Sequence, residues 1–111
     1  MSKNYMVIIV KPPNKRPYVI KIPKRIRDMV NLVGGMFNAE RYEDVLIIYN
    51  QNQKDENLKS NKVFKDLRLK GTILIVGNNE KAGDIISLRK KQILKYMSKI
   101  TNKNINKENE I

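Results

Sequence analysis

The sequence predicts one α+β domain in which two helices pack on a mostly antiparallel or mixed β-sheet. Its 111 residues, 41% of them hydrophobic, suit a single hydrophobic core. Short β-branched runs alternate with two stretches of helical periodicity, which favours a domain of mixed α and β structure. Clusters of Pro, Gly and Asn separate neighbouring runs and favour hairpins. Together these features indicate a sheet built largely from adjacent antiparallel strands.

A β-hairpin is predicted at the start of the chain. Tyr5 to Val10 is an apolar, β-branched run, and residues 11–14 (Lys-Pro-Pro-Asn) cannot continue a ladder. Tyr18 to Ile22 alternates in part and suits the returning strand. The turn between the two strands therefore gathers basic residues at a hairpin tip.

An amphipathic helix is expected after the hairpin. Pro23 suits a first helical turn, and Gly34 or Gly35 supplies the left-handed residue that closes the helix. The predicted apolar face has the helical spacing i, i+3, i+4 and i+7 and consists of Ile26, Met29, Val30 and Val33.

The middle of the chain alternates strands and polar connections. A short strand is predicted at residues 36–39, and the acidic stretch Glu40 to Asp44 leads into Val45 to Tyr49, an unbroken apolar run typical of a central strand covered on both faces. Asn50 to Asn57 is a polar loop. Residues 58–70 fit a short helix, a turn or an irregular strand, and the sequence leaves these alternatives open.

The last strand and helix are predicted between residues 72 and 100. Thr72 to Val76 is strongly β-forming, and residues 77–79 (Gly-Asn-Asn) are expected to end that strand in a turn. Ser87 is predicted to cap a helix from Leu88 to about Ile100.

Residues 101–111 are predicted to be a disordered polar tail. They consist almost entirely of Asn, Lys and Glu, and so they bury too little apolar surface to offset the entropy of ordering. The single α+β domain is therefore expected to span residues 1–100.

Composition removes several classes of chemistry. The chain has no Cys and no His, so it lacks thiol nucleophiles, disulfides, the usual zinc ligands and the commonest general base. A magnesium site at Glu40, Glu43 and Asp44 is only weakly indicated, because no other carboxylate has a spacing that completes the shell. No apolar run approaches the roughly 20 residues of a membrane span. We therefore expect a cytoplasmic protein that is not an enzyme and has no cofactor, metal or membrane association.

Charge is the strongest chemical signal in the sequence. The chain has 23 Lys and Arg against 11 Asp and Glu, a formal charge of +12. Part of this excess reflects composition, since Lys, Asn and Ile, the residues favoured by an A- and T-rich genome, fill 46 of 111 positions. The charge is nevertheless uneven: residues 1–28 and 61–100 each carry net +7, whereas residues 29–60 carry net −2. The two basic regions are candidate contacts for an acidic partner.

The first basic region contains the predicted binding site. Its cations crowd the hairpin tip and the start of the first helix, where they oppose the helix macrodipole at about 0.3–1 kcal/mol each when exposed. Arg side chains and free N–H groups at a helix start suit a phosphate, although a solvated basic face is the alternative interpretation. The predicted nucleic-acid-binding residues are Lys11, Lys15, Arg16, Lys24, Arg25 and Arg27.

A second basic set lies on the last predicted helix. Lys91, Lys95 and Lys99 recur at four-residue intervals, with Arg89 and Lys90 beside them. Such a stripe suits a phosphate backbone or an ordinary exposed helix face. The five tyrosines offer stacking surfaces for bases, but core packing is expected for most of them.

Several segments of the chain resemble a family of short uncharacterised domains found in phages and mobile elements of bacteria. The similar segments are Val7 to Pro12 (VIIVKP), Leu32 to Gly35 (LVGG), Gly71 to Gly77 (GTILIVG) and Ser87-Leu88. Family members usually carry a Leu-Pro-x-Asn-Arg stretch in the middle loop, and Leu58 to Lys62 (LKSNK) stands at that place without the Pro and the Arg. The resemblance implies a phage or mobile-element origin and no particular activity.

The function that the sequence favours is that of a small non-enzymatic binding protein. It is expected to engage an acidic partner, most plausibly nucleic acid, through the basic hairpin tip and helix start. One alternative is an accessory protein that binds and inhibits a host defence protein. Another is a binder of a small anionic nucleotide.

Overall fold

The computed structural model describes residues 4–64, 67–79 and 84–109, with side chains described up to residue 100. The strands, in chain order, are β1 (Tyr5–Lys11), β2 (Tyr18–Pro23), β3 (Phe37–Tyr42), β4 (Val45–Asn50), β5 (Ser60–Asn61), β6 (Leu69–Lys70), β7 (Ile73–Asn79) and β8 (Asp84–Ile86). The helices are α1 (Ile26–Val33) and α2 (Lys90–Asn109).

A six-stranded antiparallel sheet forms the middle layer of the domain. Five strands follow the order β2-β1-β7-β4-β3, and β8 pairs with the end of β7. β5 and β6 pair separately as a small ribbon. Helix α1 packs on one face of the sheet and helix α2 on the other. The predicted α+β class, with two helices on a mostly antiparallel sheet, is confirmed.

Alternate residues of each central strand feed two separate hydrophobic clusters, because successive side chains point to opposite faces of a sheet. The buried residues on the α1 face are Met6, Ile8, Val10, Ile22, Met29, Val33, Ile48, Leu74 and Val76. The buried residues on the α2 face are Ile9, Val45, Ile47, Val63, Phe64, Leu69, Ile73, Ile75, Leu88, Tyr96 and Ile100. The unbroken apolar run of β4 is therefore explained by burial on both faces, as predicted.

The first helix confirms one glycine prediction and corrects two details. Gly34 ends α1 in the left-handed conformation, with φ 82°, and its N–H donates to the Val30 carbonyl at 2.9 Å. Pro23 is the last residue of β2, not part of the helix. Ile26 is 65% exposed, so the predicted apolar face is buried mainly through Met29 and Val33.

The predicted turn at residues 77–79 is wrong, because these residues belong to β7 and pair with β8. Gly77 serves a close approach between backbones. A Cβ at this position would lie 2.6 Å from the Ser87 carbonyl oxygen and 2.8 Å from the Ile86 carbonyl oxygen. The glycine thus allows the chain leaving β8 to pass directly over β7.

Ser87 is not the cap of α2, which corrects a second prediction. Its Oγ accepts a hydrogen bond from the Val7 N–H at 2.8 Å and so fastens the chain to β1. The helix begins at Lys90, and the Arg89 N–H donates to Gln92 Oε1 at 2.9 Å. A side chain of the first turn therefore satisfies the backbone at the helix start, as in one half of a capping box.

Helix α2 extends through Asn109, beyond the end predicted near Ile100. Once a helix is nucleated by packing, each further residue adds a hydrogen bond, and polar residues can continue it. Residues 110–111 of the predicted tail lie outside the described residues, and a domain boundary at residue 100 stays a prediction. Within the described chain, neither helix has the length and apolar character needed to cross a bilayer.

The segment that the sequence left open forms part of the irregular layer over the α2 face. Residues 65–66 lie outside the described residues; of the rest of residues 58–70, β5 and β6 form the small ribbon, and the Lys70 N–H donates to Gln53 Oε1 at 2.8 Å. Asn61 is buried, and its Nδ2 donates at 2.9 Å to the carbonyls of both Lys11 and Gly71. Asn61 is therefore a structural tie between the ribbon and the end of β1.

Candidate anion-binding surface

The hairpin tip offers fewer exposed cations than the sequence suggested. Lys11 is only 2% exposed, and its Nζ donates to the neighbouring Pro12 carbonyl at 2.5 Å. Lys15 and Arg16 lie in the turn and are exposed. Lys11 became a candidate by its place after the first strand, but as the last residue of β1 it belongs to the buried ladder.

The cations before and within the first turn of α1 are partly neutralised. Lys24 Nζ lies 2.7 Å from Asp84 Oδ2 at the start of β8, and this contact lowers the pKa of Asp84. Arg25 Nε lies 2.7 Å from Asp28 Oδ2 in the first helical turn. Arg27 is exposed. The α1 start therefore carries its own counter-charges.

The predicted site is also divided in space. In the β1–β2 ladder, Tyr5 pairs with Pro23 at one end and Val10 pairs with Tyr18 at the other. Five residue steps along a strand span about 17 Å. The hairpin tip lies beyond one end of this ladder and the start of α1 beyond the other, so the predicted residues do not form one continuous surface.

Two of the three stripe lysines of α2 form ion pairs that attach the helix to the sheet. Lys95 Nζ lies 3.1 Å from Glu43 Oε1, and Lys99 Nζ lies 3.0 Å from Glu43 Oε2. Lys99 also lies 5.0 Å from the ring centroid of Tyr42 and within hydrogen-bond distance of its hydroxyl. These contacts lower the pKa of Glu43, with the Lys99 hydrogen bond as the largest cause. Of the three stripe lysines, Lys91 has no such partner in the described part of the chain.

Asp44 completes this attachment at the β3–β4 turn. It accepts hydrogen bonds from the Tyr96 hydroxyl at 2.5 Å and from Gln92 Nε2 at 2.9 Å. These bonds, the Tyr96 one foremost, lower the pKa of Asp44 from its ordinary 3.8 to about 2. Burial, followed by the same hydrogen bond, raises the pKa of Tyr96. Of the three carboxylates weakly indicated for magnesium, Glu43 and Asp44 are thus engaged by α2, and no group of three metal-ligating side chains occurs among the described residues.

Three consecutive cations remain at the start of α2, and we call Arg89, Lys90 and Lys91 the α2-start cluster. All three are exposed, and none forms an ion pair within 4 Å of a carboxylate that the structure describes. The first turn of α2 contains no acidic residue. The cluster therefore concentrates positive charge where the helix already presents its positive end.

A concave space adjoins the α2-start cluster. The cavity has a volume of about 470 Å³, and besides the cluster its lining includes Asp44, Gln92 and Lys95. Both oxygens of the Asp44 carboxylate accept hydrogen bonds from α2, one from Tyr96 and one from Gln92. The positive lining outnumbers this single carboxylate and suits an anionic group.

Sequence reasoning mentioned the α2-start cluster but placed the site in the first basic region. The presence or absence of an acidic residue in the first helical turn distinguishes the two regions. Asp28 falls in the first turn of α1, whereas the first turn of α2 has no acid. The ion pairs that neutralise Lys95 and Lys99 join residues more than fifty positions apart, so the sequence could not reveal them.

The architecture defines a small α+β domain with an antiparallel sheet between a short and a long helix. A match over residues 5–101 shows that the chain belongs to the DUF3846 family, a domain of unknown function. Comparisons with curated proteins and with solved structures give no significant match. The resemblance to a family of uncharacterised domains is thereby confirmed.

Proposed function

We propose that this protein is a non-enzymatic binding module that engages nucleic acid through the α2-start cluster. The observation that supports this most directly is the persistence of three adjacent, exposed cations at a helix start after the described ion pairs have been assigned. They replace the divided residues of the hairpin tip and α1 start as the favoured contact.

The electrostatic cost of placing cations at a helix N-terminus supports a binding role for this cluster. Cations near a helix N-terminus destabilise the helix by about 0.3–1 kcal/mol each when exposed. Arg89, Lys90 and Lys91 all lie within or next to the first turn of α2, with no acidic residue in that turn to offset them. A phosphate seated there gains contacts with both the side chains and the helix start.

The cavity beside the cluster adds to this preference. Concave surfaces lined by one sign of charge focus the electric field and raise the local concentration of an oppositely charged partner. The α2-start cluster supplies three cations around the space of about 470 Å³, whereas Lys95, which also lines it, is paired with Glu43 and Asp44. The exposed Lys15 and Arg16 of the hairpin tip do not line this cavity.

The proposal also includes the kind of partner and the cellular location. The net charge of +12 favours an acidic partner, and duplex DNA carries about one negative charge per 1.7 Å of its axis. The resemblance to phage and mobile-element domains favours action in the cytoplasm of a bacterial cell. A host protein with an acidic surface is the competing partner and is an outcome of the test below.

The test compares two matched charge reversals. One variant carries Arg89→Glu, Lys90→Glu and Lys91→Glu. The control carries Lys15→Glu, Arg16→Glu and Arg27→Glu, three exposed cations of the first basic region that form no ion pair in the described chain. Both variants change the net charge equally, and binding to labelled DNA and RNA is measured by fluorescence anisotropy at physiological salt.

The proposal predicts that the first variant loses most of its affinity and that the control retains most of it. Equal losses would indicate diffuse electrostatics without a site. A loss confined to the control would return the site to the first basic region. Absence of nucleic-acid binding by the unmodified protein would overturn the proposal in favour of an acidic protein or a small anionic ligand.

A further inference from the structure

One face of the β1–β2 hairpin lies directly beside the α2-start cluster. Val7 pairs with Lys21 of β2 on one side, and on the other side its carbonyl accepts a hydrogen bond from the Leu88 N–H at 2.9 Å. Neighbouring strands lie about 4.8 Å apart, so the backbones of Lys21 and Leu88 are separated by roughly 10 Å. Arg89 follows Leu88 directly. A cation of β2 and the cations of α2 therefore flank the same residue of β1.

The side chains on this part of the sheet face the α2 layer. Ile9 belongs to the cluster under α2, and strand alternation places Tyr5 and Val7 on the same face. Residues paired across the ladder share a face, which adds Val19 and Lys21.

The part of helix α2 with described side chains, residues 90–100, does not cover this face. It begins beside β1 and is fastened through Gln92, Tyr96 and Lys99 to the β3–β4 region, away from β2. Tyr5 is consequently 44% exposed and Val19 43% exposed. Lys21 Nζ lies 5.4 Å from the centroid of the Tyr5 ring. The exposed face therefore presents an aromatic ring next to a cation. We call the surface formed by Tyr5, Val19 and Lys21 the hairpin face.

We propose that the ligand is single-stranded nucleic acid, that its backbone runs from the α2-start cluster toward Lys21, and that one of its bases stacks on Tyr5. This inference rests on the proposed function and specifies the class of nucleic acid. Proteins that bind single strands combine a basic track with exposed aromatic rings on which bases stack.

The hairpin face favours a single strand over a duplex. A base can stack on an aromatic ring only when its own face is free, and in a duplex both faces are occupied by neighbouring bases. The cations lie on both sides of Val7, about two strand spacings apart, and Val7 is two residues from Tyr5 on the same face, so a backbone that joins the cations passes near the ring.

The experiment uses two tyrosines of the same hairpin. Tyr18 is 42% exposed, nearly the same as Tyr5, but it pairs with Val10 and therefore lies on the opposite face. Tyr5→Ala, Tyr5→Phe and Tyr18→Ala are prepared in the full chain, and thermal unfolding establishes that each is folded. Binding is measured to a labelled oligothymidine and to a duplex of equal length.

We expect the unmodified protein to bind the single strand more tightly than the duplex. Tyr5→Ala should weaken single-strand binding by about 5- to 150-fold, the range for one lost base stack. Tyr5→Phe keeps the ring and should bind within about twofold of the unmodified protein, and Tyr18→Ala should do the same. The effect of Tyr5→Ala on duplex binding should be small.

The two proposals fail in different ways. If the α2-start reversal abolishes binding while Tyr5→Ala binds normally, or binds as Tyr18→Ala does, the stacking inference is wrong and the proposed function stands. A preference for duplex would also overturn the inference alone. If the unmodified protein binds neither oligonucleotide, both proposals are wrong.

Discussion

The starts of the two helices have a similar number of basic residues but differ in how many of these residues form ion pairs. Both are rich in Lys and Arg. At α1, Lys24 is paired with Asp84 and Arg25 with Asp28, whereas the α2-start cluster has no carboxylate partner in the described chain. The comparison teaches that a count of cations near a helix start does not identify an anion site. The position of the nearest acids decides whether that charge is available.

The two helix starts also differ in how the backbone N–H groups are satisfied and in which charges lie in the first turn. Arg25 precedes α1 without a side-chain cap, and Asp28 offsets the positive end of an eight-residue helix. At α2, Gln92 Oε1 accepts a hydrogen bond from the Arg89 N–H. The charged residues in the first turn of this twenty-residue helix are all cations. The longer helix is thus ordered at its start and still positively charged.

The largest expected effect comes from Gly77, which supports both helix starts. β8 carries the Asp84 partner of Lys24 and leads directly into α2, and its passage over β7 depends on the missing Cβ. Gly77→Val should destabilise the fold by about 3 kcal/mol or more, because the opposing atoms are backbone oxygens that cannot rotate away. Chemical denaturation measures this. Gly77→Ala should show a smaller loss of the same kind, and neutral behaviour of both would contradict the close approach.

The next effect concerns the other end of α1. Gly34→Val should cost about 1–2 kcal/mol of unfolding free energy, since a β-branched residue is strained at a φ of 82°. Gly35 has no positive φ, and the nearest atom to an added Cβ is Asn50 Nδ2 at 3.1 Å. Gly35→Ala is therefore the milder comparison in the same denaturation series. Equal tolerance at both positions would remove Gly34 as the closing residue.

The acid dependence of the α2 attachment gives a third, moderate effect. The pKa of Asp44 is lowered to about 2, so its contribution to stability is present above 3.8 and is lost as the pH falls through about 2. Tyr96→Phe removes the hydrogen bond that lowers this pKa most and should cost about 1 kcal/mol at neutral pH. Thermal unfolding of the variant and the unmodified protein should converge as the pH falls from about 4 to 2.

Tyr49→Phe provides the control for that pH series. Tyr49 packs against the same hydrophobic cluster, yet it makes no hydrogen bond to Asp44. Its substitution should leave the pH dependence in the range from about 4 to 2 unchanged. A constant difference between Tyr96→Phe and the unmodified protein across that range would show that Asp44 does not titrate with the attachment.

The smallest expected effect contrasts the two helix starts directly. Lys90→Glu should stabilise the protein by about 0.3–1 kcal/mol, because a carboxylate at an exposed helix start complements the macrodipole. Arg25→Glu should give little or no gain, since it breaks the pair with Asp28 and places two like charges together. Differential scanning calorimetry of the two variants checks this. A larger gain at Arg25 would reverse the comparison.

Local patterns predicted the fold well because neighbouring residues determine strands, the first hairpin and the end of α1 at Gly34. The errors arose where distant segments meet. Gly77 resembles a turn residue, and only the passage of β8 explains it. Ser87 resembles a cap, but its hydroxyl bonds to Val7, eighty positions away. The β-strand Val45–Asn50 was recognisable because burial on both faces leaves a continuous apolar run.

The candidate site was harder to predict because availability of charge is a tertiary property. Lys11 has the sequence context of a surface residue and is buried. Lys95 and Lys99 share the spacing of Lys91, yet Glu43 engages only the first two. The absence of acid from the first turn of α2 was visible in the sequence and was the signal that could have directed attention there.

The central claim is that the α2-start cluster, rather than the first basic region, provides the phosphate contacts. The most direct measurement is the salt dependence of single-strand binding for the two matched charge reversals. Each lost contact should reduce the slope of log K against log salt by about 0.7, so reversal of Arg89, Lys90 and Lys91 should reduce it by about 2. Reversal of Lys15, Arg16 and Arg27 should change the slope by less than half as much. Equal changes in the two variants, or a larger change in the second, would contradict the account.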